Sequence, residues 1–389
     1  MELTSPQRHK ALRGLLFAGF LFALHAYLPI YITSNFLEGV TSEMLVGILY
    51  TAASLVSLGG LWLSPLLLCR WGAYRLIIAC IAVAALAALG LAHFTSPFFL
   101  IPLFLASTTF IRITNFIFDE LVEHYSIDSE TGAIRGGFLT AQNIALVLAP
   151  LVAGFIVGGD EYWKIFLVAA VILTPLLVLL SARFDTFADP VYTKLRLITA
   201  LKELRRLPNI RRAVMANLVL RFFYSWMVVY TPIYLHQHIG FSWESIGIMF
   251  TIMLLPFALL EYPLGRLADT RFGEKEILTT GFIVIALATA ALSFVTTPSL
   301  ILWMTLLLCT RIGASAVEIM SETYFFKHTN DREPALLSVF RMVDPFAYVI
   351  GPLVASVALV FVDIQFLFII LGVLVLWGLR YSLTLKDTR

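Results

Sequence analysis

Charge is what this chain is short of. Lys, Arg, Asp and Glu make up only 13% of its 389 residues, against 60% hydrophobic, and the mean hydropathy is +0.90. Too few charges remain to cover a water-exposed surface, which excludes an ordinary soluble protein. Cysteine is scarce too: Cys69, Cys80 and Cys309 stand without CxxC spacing or a His cluster. That excludes a disulfide framework and a zinc site, and no metal or other cofactor is expected. The sequence also lacks H-E-x-x-H, G-x-S-x-G and Walker-type loops, so neither an enzyme nor a self-contained ATP-driven pump is expected. The net charge is only +2, and no nucleic acid is expected as a partner.

What the chain does have is repeated apolar runs of about 20 residues, each long enough to cross a ~30 Å hydrocarbon layer. A helical reading places spans at 11–36, 43–67, 75–94, 97–122, 135–158 and 161–182, then at 211–236, 243–265, 275–296, 299–325, 335–359 and 364–382. The expected fold class is therefore an all-α membrane protein of twelve transmembrane helices in two six-helix bundles, lobe 1–182 and lobe 211–389. They are joined by a cytoplasmic linker, 183–210, in which Thr199–Arg206 forms a short amphipathic helix on the membrane surface. The basic start (Arg8, Lys10, Arg13) has no small-residue cleavage site after it, so the first run is expected to stay as a span continuing through Pro29 and Tyr31.

Of the 27 Lys and Arg, four (Arg112, Arg221, Arg311, Arg341) fall deep inside the expected spans, and the others lie at span ends or between spans. Lys164 alone falls on one side of the membrane, and all the rest fall on the other. That asymmetry puts both termini in the cytoplasm. The expected location is the inner (plasma) membrane, with the bilayer as surroundings and the chain as a monomer.

The charges inside the spans follow a pattern. Arg311 and Glu318 lie seven residues apart in one apolar run, and Arg112 and Asp119 repeat the spacing about 200 residues earlier. Seven residues are close to two helical turns, so each Arg shares a face with its acid about 10 Å along the axis. At roughly 2.5 to 3.5 kcal/mol per mid-bilayer charge, the four together cost about 10 to 14 kcal/mol if turned to lipid. Both faces are therefore expected to turn inward to one polar path, unless each pair simply ties helices together.

The two halves repeat at an offset of about 201 to 203 residues. Leu28-Pro29-Ile30-Tyr31 answers Thr231-Pro232-Ile233-Tyr234, Arg70-Trp71-Gly72 answers Arg271-Phe272-Gly273, and Ala149-Pro150 answers Gly351-Pro352. A six-helix unit repeated in one membrane orientation implies a site between the halves. With this duplication the chain resembles the major facilitator superfamily over essentially its whole length. The sharpest motif is Gly265-Arg266-Leu267-Ala268-Asp269-Thr270-Arg271-Phe272-Gly273-Glu274-Lys275. It is similar to that family's loop G-x-L-x-D-[RK]-x-G-[RK]-[RK], with one additional residue, Thr270, and with Glu274 where a basic residue is usual. Ala149-Pro150-Leu151-Val152-Ala153-Gly154 is similar to a partial form of the family's antiporter motif.

The resemblance implies a secondary transporter working by alternating access, with spans 1, 4, 7 and 10 lining the path and Gly265, Asp269, Arg271 and Gly273 forming a gating loop. The candidate substrate-binding residues are Arg112, Arg221, Arg311, Asn115, Tyr224, Trp226 and Gln142. The guanidinium stays charged at any relevant pH, so the arginines suit an anionic solute or a carboxylate better than a proton. Asp119 and Glu318 are the candidate proton carriers, with His25 on span 1 as a third. Each has a plainer reading: the acids as static partners of Arg, the aromatics and His25 as packing groups. The expected function is proton-coupled movement of a small organic solute, leaning to efflux by antiport. Proton-coupled uptake of an organic anion, or a non-transporting receptor or scaffold on the same fold, are the alternatives.

Overall fold

The computed structural model describes residues 5–125, 131–183, 197–329 and 334–386, and every regular element in them is helical. The helices are α1 (Ser5–Tyr27), α2 (Thr33–Glu38), α3 (Glu43–Trp71), α4 (Ala73–His93), α5 (Pro97–Tyr125), α6 (Thr131–Val157), α7 (Trp163–Arg183) and α8 (Leu197–Arg206). They continue with α9 (Pro208–Ile233), α10 (Trp243–Leu259), α11 (Glu261–Leu267), α12 (Glu274–Leu292), α13 (Leu300–His328), α14 (Pro334–Ala358), α15 (Leu367–Leu376) and α16 (Gly378–Thr384). Large apolar side chains such as Phe98, Leu86, Leu287 and Phe361 stand exposed on their outer faces. Such a surface is stable only in lipid, and helices satisfy their own backbone there. The chain is an all-α, multi-pass integral membrane protein.

Ten helices among the described residues are long and apolar enough to cross a membrane, or eleven when α10 and the segment after it count as one span bent by 42°. The shorter apolar helix Leu12–Tyr27 stands where the first span is expected. That span does not run through Pro29 as the sequence reading has it. Proline has no N–H to continue the ladder, so α1 stops at Tyr27 and the Pro29 carbonyl instead accepts from Thr33 N at 2.8 Å. Pro256 and Pro263 flank the bend after α10 for the same reason.

The chain forms two compact units. One holds Met1–Thr41 and Ala52–Lys194, and the other holds Ser42–Thr51 and Leu195–Arg389, so α3 is divided between them after Thr51. In the first unit, α4 packs against α5 and α7, and α1 against α6 and α7. Their shared core runs from Leu15, Phe22 and Ile81 to Phe118, Phe138 and Leu176. In the second unit, α12 packs on α13 and α15, while α9 packs on α13 and α14. The linker helix α8 docks here through Leu204, which packs among Ile210, Val214, Phe325 and Phe340.

The second unit has two further seams that position its helices. The start of α3 is tied in by Glu43 Oε1 to His238 Nε2 at 2.6 Å, by Ser356 Oγ donating to Met44 O at 2.7 Å and by Thr51 Oγ1 donating to Val349 O at 3.1 Å. At the other end of the bundle, buried Glu274 begins α12 and takes Lys327 Nζ of α13 at 2.7 Å. A carboxylate in a helix first turn faces the positive end of the helix dipole, and this one also faces a cation. That accounts for an acid where the family motif carries a base. Lys327→Ala is expected to lower stability by about 1 to 2 kcal/mol, below the roughly 3 to 5 of a sequestered pair because the ammonium is partly wetted. Thermal unfolding of the purified protein checks this, and Lys327→Arg should behave as wild type.

Candidate functional site

The site is built by two helices of the second unit. On α9, Asn217, Arg221 and Tyr224 follow at spacings of four and three residues and so share one face. On α13, Arg311, Glu318 and Glu322 follow at spacings of seven and four and also share a face, and four of the six residues between Arg311 and Glu318 are small and buried: Gly313, Ala314, Ser315 and Ala316. Small side chains let a neighbouring helix approach closely. The Arg311-to-Glu318 stretch is therefore closely packed on one side, with its charges turned to α9.

Glu318 is the hinge of the cluster. Its Oε1 accepts from Arg221 Nη2 at 2.7 Å and its Oε2 accepts from the Tyr224 hydroxyl at 2.8 Å. The partner of Glu318 is thus Arg221, on another helix, and Arg311 stands apart. Arg221 is held further by Glu322 at 3.4 Å and by Asn217 Oδ1, which accepts from its Nε at 3.4 Å. Asn217 in turn donates to Ser321 Oγ at 3.2 Å, and Asp344 of α14 lies close enough to act on Arg221 electrostatically. Arg311 is 2% exposed, and its Nε and Nη2 have no hydrogen-bond partner. Its guanidinium carbon lies 5.1 Å from the Tyr224 ring centre and 5.5 Å from that of Phe223. Tyr224 therefore bridges the two charges, ring towards Arg311 and hydroxyl on Glu318. A cleft of about 500 Å³ runs along Glu318, Ile319, Glu322, Thr323, Phe326 and Lys327 on the last turns of α13.

The structure thus brings together four of the residues singled out in the sequence, Arg221, Tyr224, Arg311 and Glu318. Asn217 and Ser321 join them. Sequence reasoning passed these two over, although Asn217 stands one turn from Arg221 in an apolar helix. Trp226 is buried and turned to α14, where its indole N–H donates to Gly351 O at 2.7 Å. Trp226→Phe would remove that buried interhelical bond and part of the indole's packing, and is expected to cost about 1 to 3 kcal/mol. A melting curve reads this, and solute affinity should stay unchanged.

In the first unit, Arg112 and Asp119 on α5 and Gln142 on α6 are half-buried, and Asn115 is exposed. His25 is buried, and its Nδ1 donates to Ala169 O of α7 at 2.9 Å. This leaves Nε2 as the unprotonated nitrogen, without a partner. Of the gating loop, the side chain of Asp269 lies outside the described residues. Arg271 is exposed, over the Phe272 ring at 5.3 Å. Gly265 has open space around it, and Gly273 turns the chain with φ 87°. Its repeat partner Gly72 has φ 74° and nearly the same ψ, a left-handed conformation that favours glycine at both positions. Ala268–Phe272 forms a π turn closed by Gly273 N to Ala268 O at 3.0 Å. A π turn holds one residue more than an α turn, which is how a helix takes up an insertion such as Thr270.

Two halves with repeated motifs, and charged side chains paired between apolar helices, mark a polytopic membrane protein with a polar cluster in its second half. Residues 215–385 match the family model described as Major Facilitator Superfamily. The whole chain shares its fold with solved transporters. The nucleoside transporter NupG aligns with TM-score 0.72 and 15% identity over 96% of this chain and 99% of its own. The POT family transporter PepTSo aligns with TM-score 0.75 and 10% identity over 98% of each. A bacterial homolog of the human lysosomal transporter Spinster, inward-facing and unoccupied, aligns with TM-score 0.69 and 13% identity over 98% and 94%. No curated protein sequence matches the chain. The second half of the chain thus matches the Major Facilitator Superfamily, and the fold of the chain is that of these solved transporters.

Proposed function

We propose that this protein is a secondary active transporter that moves a small organic solute by alternating access, coupled to protons through Glu318. The observation that carries the reading is the double engagement of Glu318 with Arg221 and Tyr224, at the border of the cleft. Protonation removes the charge that holds Arg221 and so loosens α9 from α13, while loss of the proton restores the tie. A carboxylate whose interhelical bond depends on one proton is a switch between two packings.

The reading extends to lobes 1–182 and 211–389 joined by the linker 183–210, both termini in the cytoplasm, and a monomer in the inner membrane. It rests there on the Lys and Arg distribution along the chain. Efflux by antiport is the favoured direction, supported by the Gly265–Lys275 loop and the Pro150 motif. Uptake by symport is the second reading, favoured by the buried arginines. The test is proteoliposomes given a pH gradient and a mixture of small metabolites, with mass spectrometry of the lumen. Efflux predicts movement of one solute class against the proton gradient, and uptake predicts movement with it. No gradient-dependent movement of any solute would leave the receptor or scaffold reading in its place.

A further inference from the structure

Two arginines face each other's helices in this unit, and their surroundings differ. Arg221 is engaged at both Nε and Nη2, by Asn217, Glu318 and Glu322. Arg311 is more deeply buried, yet its Nε and Nη2 meet no acceptor. These two nitrogens form the side-on edge of the guanidinium, whose parallel N–H bonds match the two oxygens of a carboxylate or phosphate. Arginine cannot shed its proton to escape the cost of burial. The faces of Tyr224 and Phe223 meet the cation's charge, but they leave the in-plane donors without acceptors. Neither does the acid on its own helix serve it, because Glu318 lies two turns away with both oxygens engaged.

We propose that Arg311 is the anion-recognition residue of this transporter, and that the solute carries a carboxylate or phosphate group which seats on the Nε and Nη2 edge beside Tyr224 and Phe223. The inference rests on reading the α9 and α13 cluster as the transport site, and it assigns the two arginines separate tasks. Arg221 holds the coupling carboxylate, and Arg311 holds the solute. Tyr224 joins them, since a group seated at its ring lies one side chain from Glu318.

The test uses the purified full-length protein, with melting temperature read against benzoate, phenyl phosphate, neutral benzamide and cationic benzylamine. Either or both anions should raise the melting temperature of the wild type, and which one does so separates a carboxylate site from a phosphate site. Benzamide and benzylamine should not raise it. Arg311→Met should remove the anion-induced shift and raise the melting temperature of the ligand-free protein, because an uncompensated buried cation is gone. Arg311→Lys keeps the charge without the fork and should weaken anion binding about tenfold or more. The proposal is overturned if neither anion shifts the wild type, if benzamide shifts it as much as benzoate, or if Arg311→Met keeps the shift. It is equally overturned if Arg311→Met melts lower without ligand, which would make Arg311 a packing group. These readings need no gradient, so failure of proton coupling at Glu318 would leave them standing, and their failure would leave coupling untouched.

Discussion

Glu318→Gln is expected to reduce gradient-driven solute movement in proteoliposomes to the level of protein-free vesicles, while solute exchange without a gradient continues. Glutamine keeps the length of the side chain and can still accept from the Tyr224 hydroxyl, which now lies 2.8 Å from the carboxylate. What it loses is the ability to carry a proton and the charge that faces Arg221 at 2.7 Å. Arg221 keeps Glu322 and Asn217, so folding should survive with a loss of about 1 to 3 kcal/mol, below that of a sequestered pair stripped of one partner. Binding of solute and rearrangement of the helices do not need the proton, and exchange reports both. Gradient-driven movement at the wild-type rate in this variant would place coupling on another group, with Asp119 and His25 next to be tested.

The second large effect concerns folding. Gly313→Leu is expected to give no folded protein, because α12 and α13 touch at their backbones there. A Cβ on Gly313 would lie 2.7 Å from Gly281 O and 2.9 Å from Ile285 N, and a Cβ on Gly281 would lie 2.9 Å from Gly313 O. Backbone atoms cannot rotate away as a side-chain tip can, so the helices would have to separate. Gly313→Ala should cost about 1 to 3 kcal/mol, as overpacking does, and leucine should exceed the 4 to 5 kcal/mol or so that marks exceptional substitutions. Yield of monodisperse protein on size exclusion and its melting curve check both variants. A Gly313→Leu protein that purified and melted as wild type would refute the packing described.

Much of this was legible along the chain, for a physical reason: lipid makes every apolar run and every misplaced charge conspicuous. The Arg311 to Glu318 stretch stood out because charge is costly in such a run, and the structure sets both side chains in one cluster. What could not be read was the partner. Glu318 bonds to a residue 97 positions away, and i to i+7 spacing says only that two groups share a face. Asn217 and Ser321 went unnoticed because an uncharged polar group costs little in a helix that can bond it to a neighbour. The break after Tyr27 was visible in Pro29 and was read through. Trp226 had two readings in the sequence, a solute contact or a packing group, and only the structure shows its N–H on Gly351 O. The additional residue Thr270 was legible as a misfit to the loop motif, whereas the π turn that absorbs it is a property of the backbone alone.

The most direct measurement is of protons themselves. Wild-type protein reconstituted in vesicles with a pH-sensitive dye inside should show a change in lumenal pH on addition of the solute it moves, and Glu318→Gln should move solute by exchange with no pH change. If the wild type moved solute down its gradient at full rate with lumenal pH unaltered, the carboxylate between Arg221 and Tyr224 would be a structural tie, and the coupling mechanism would be contradicted.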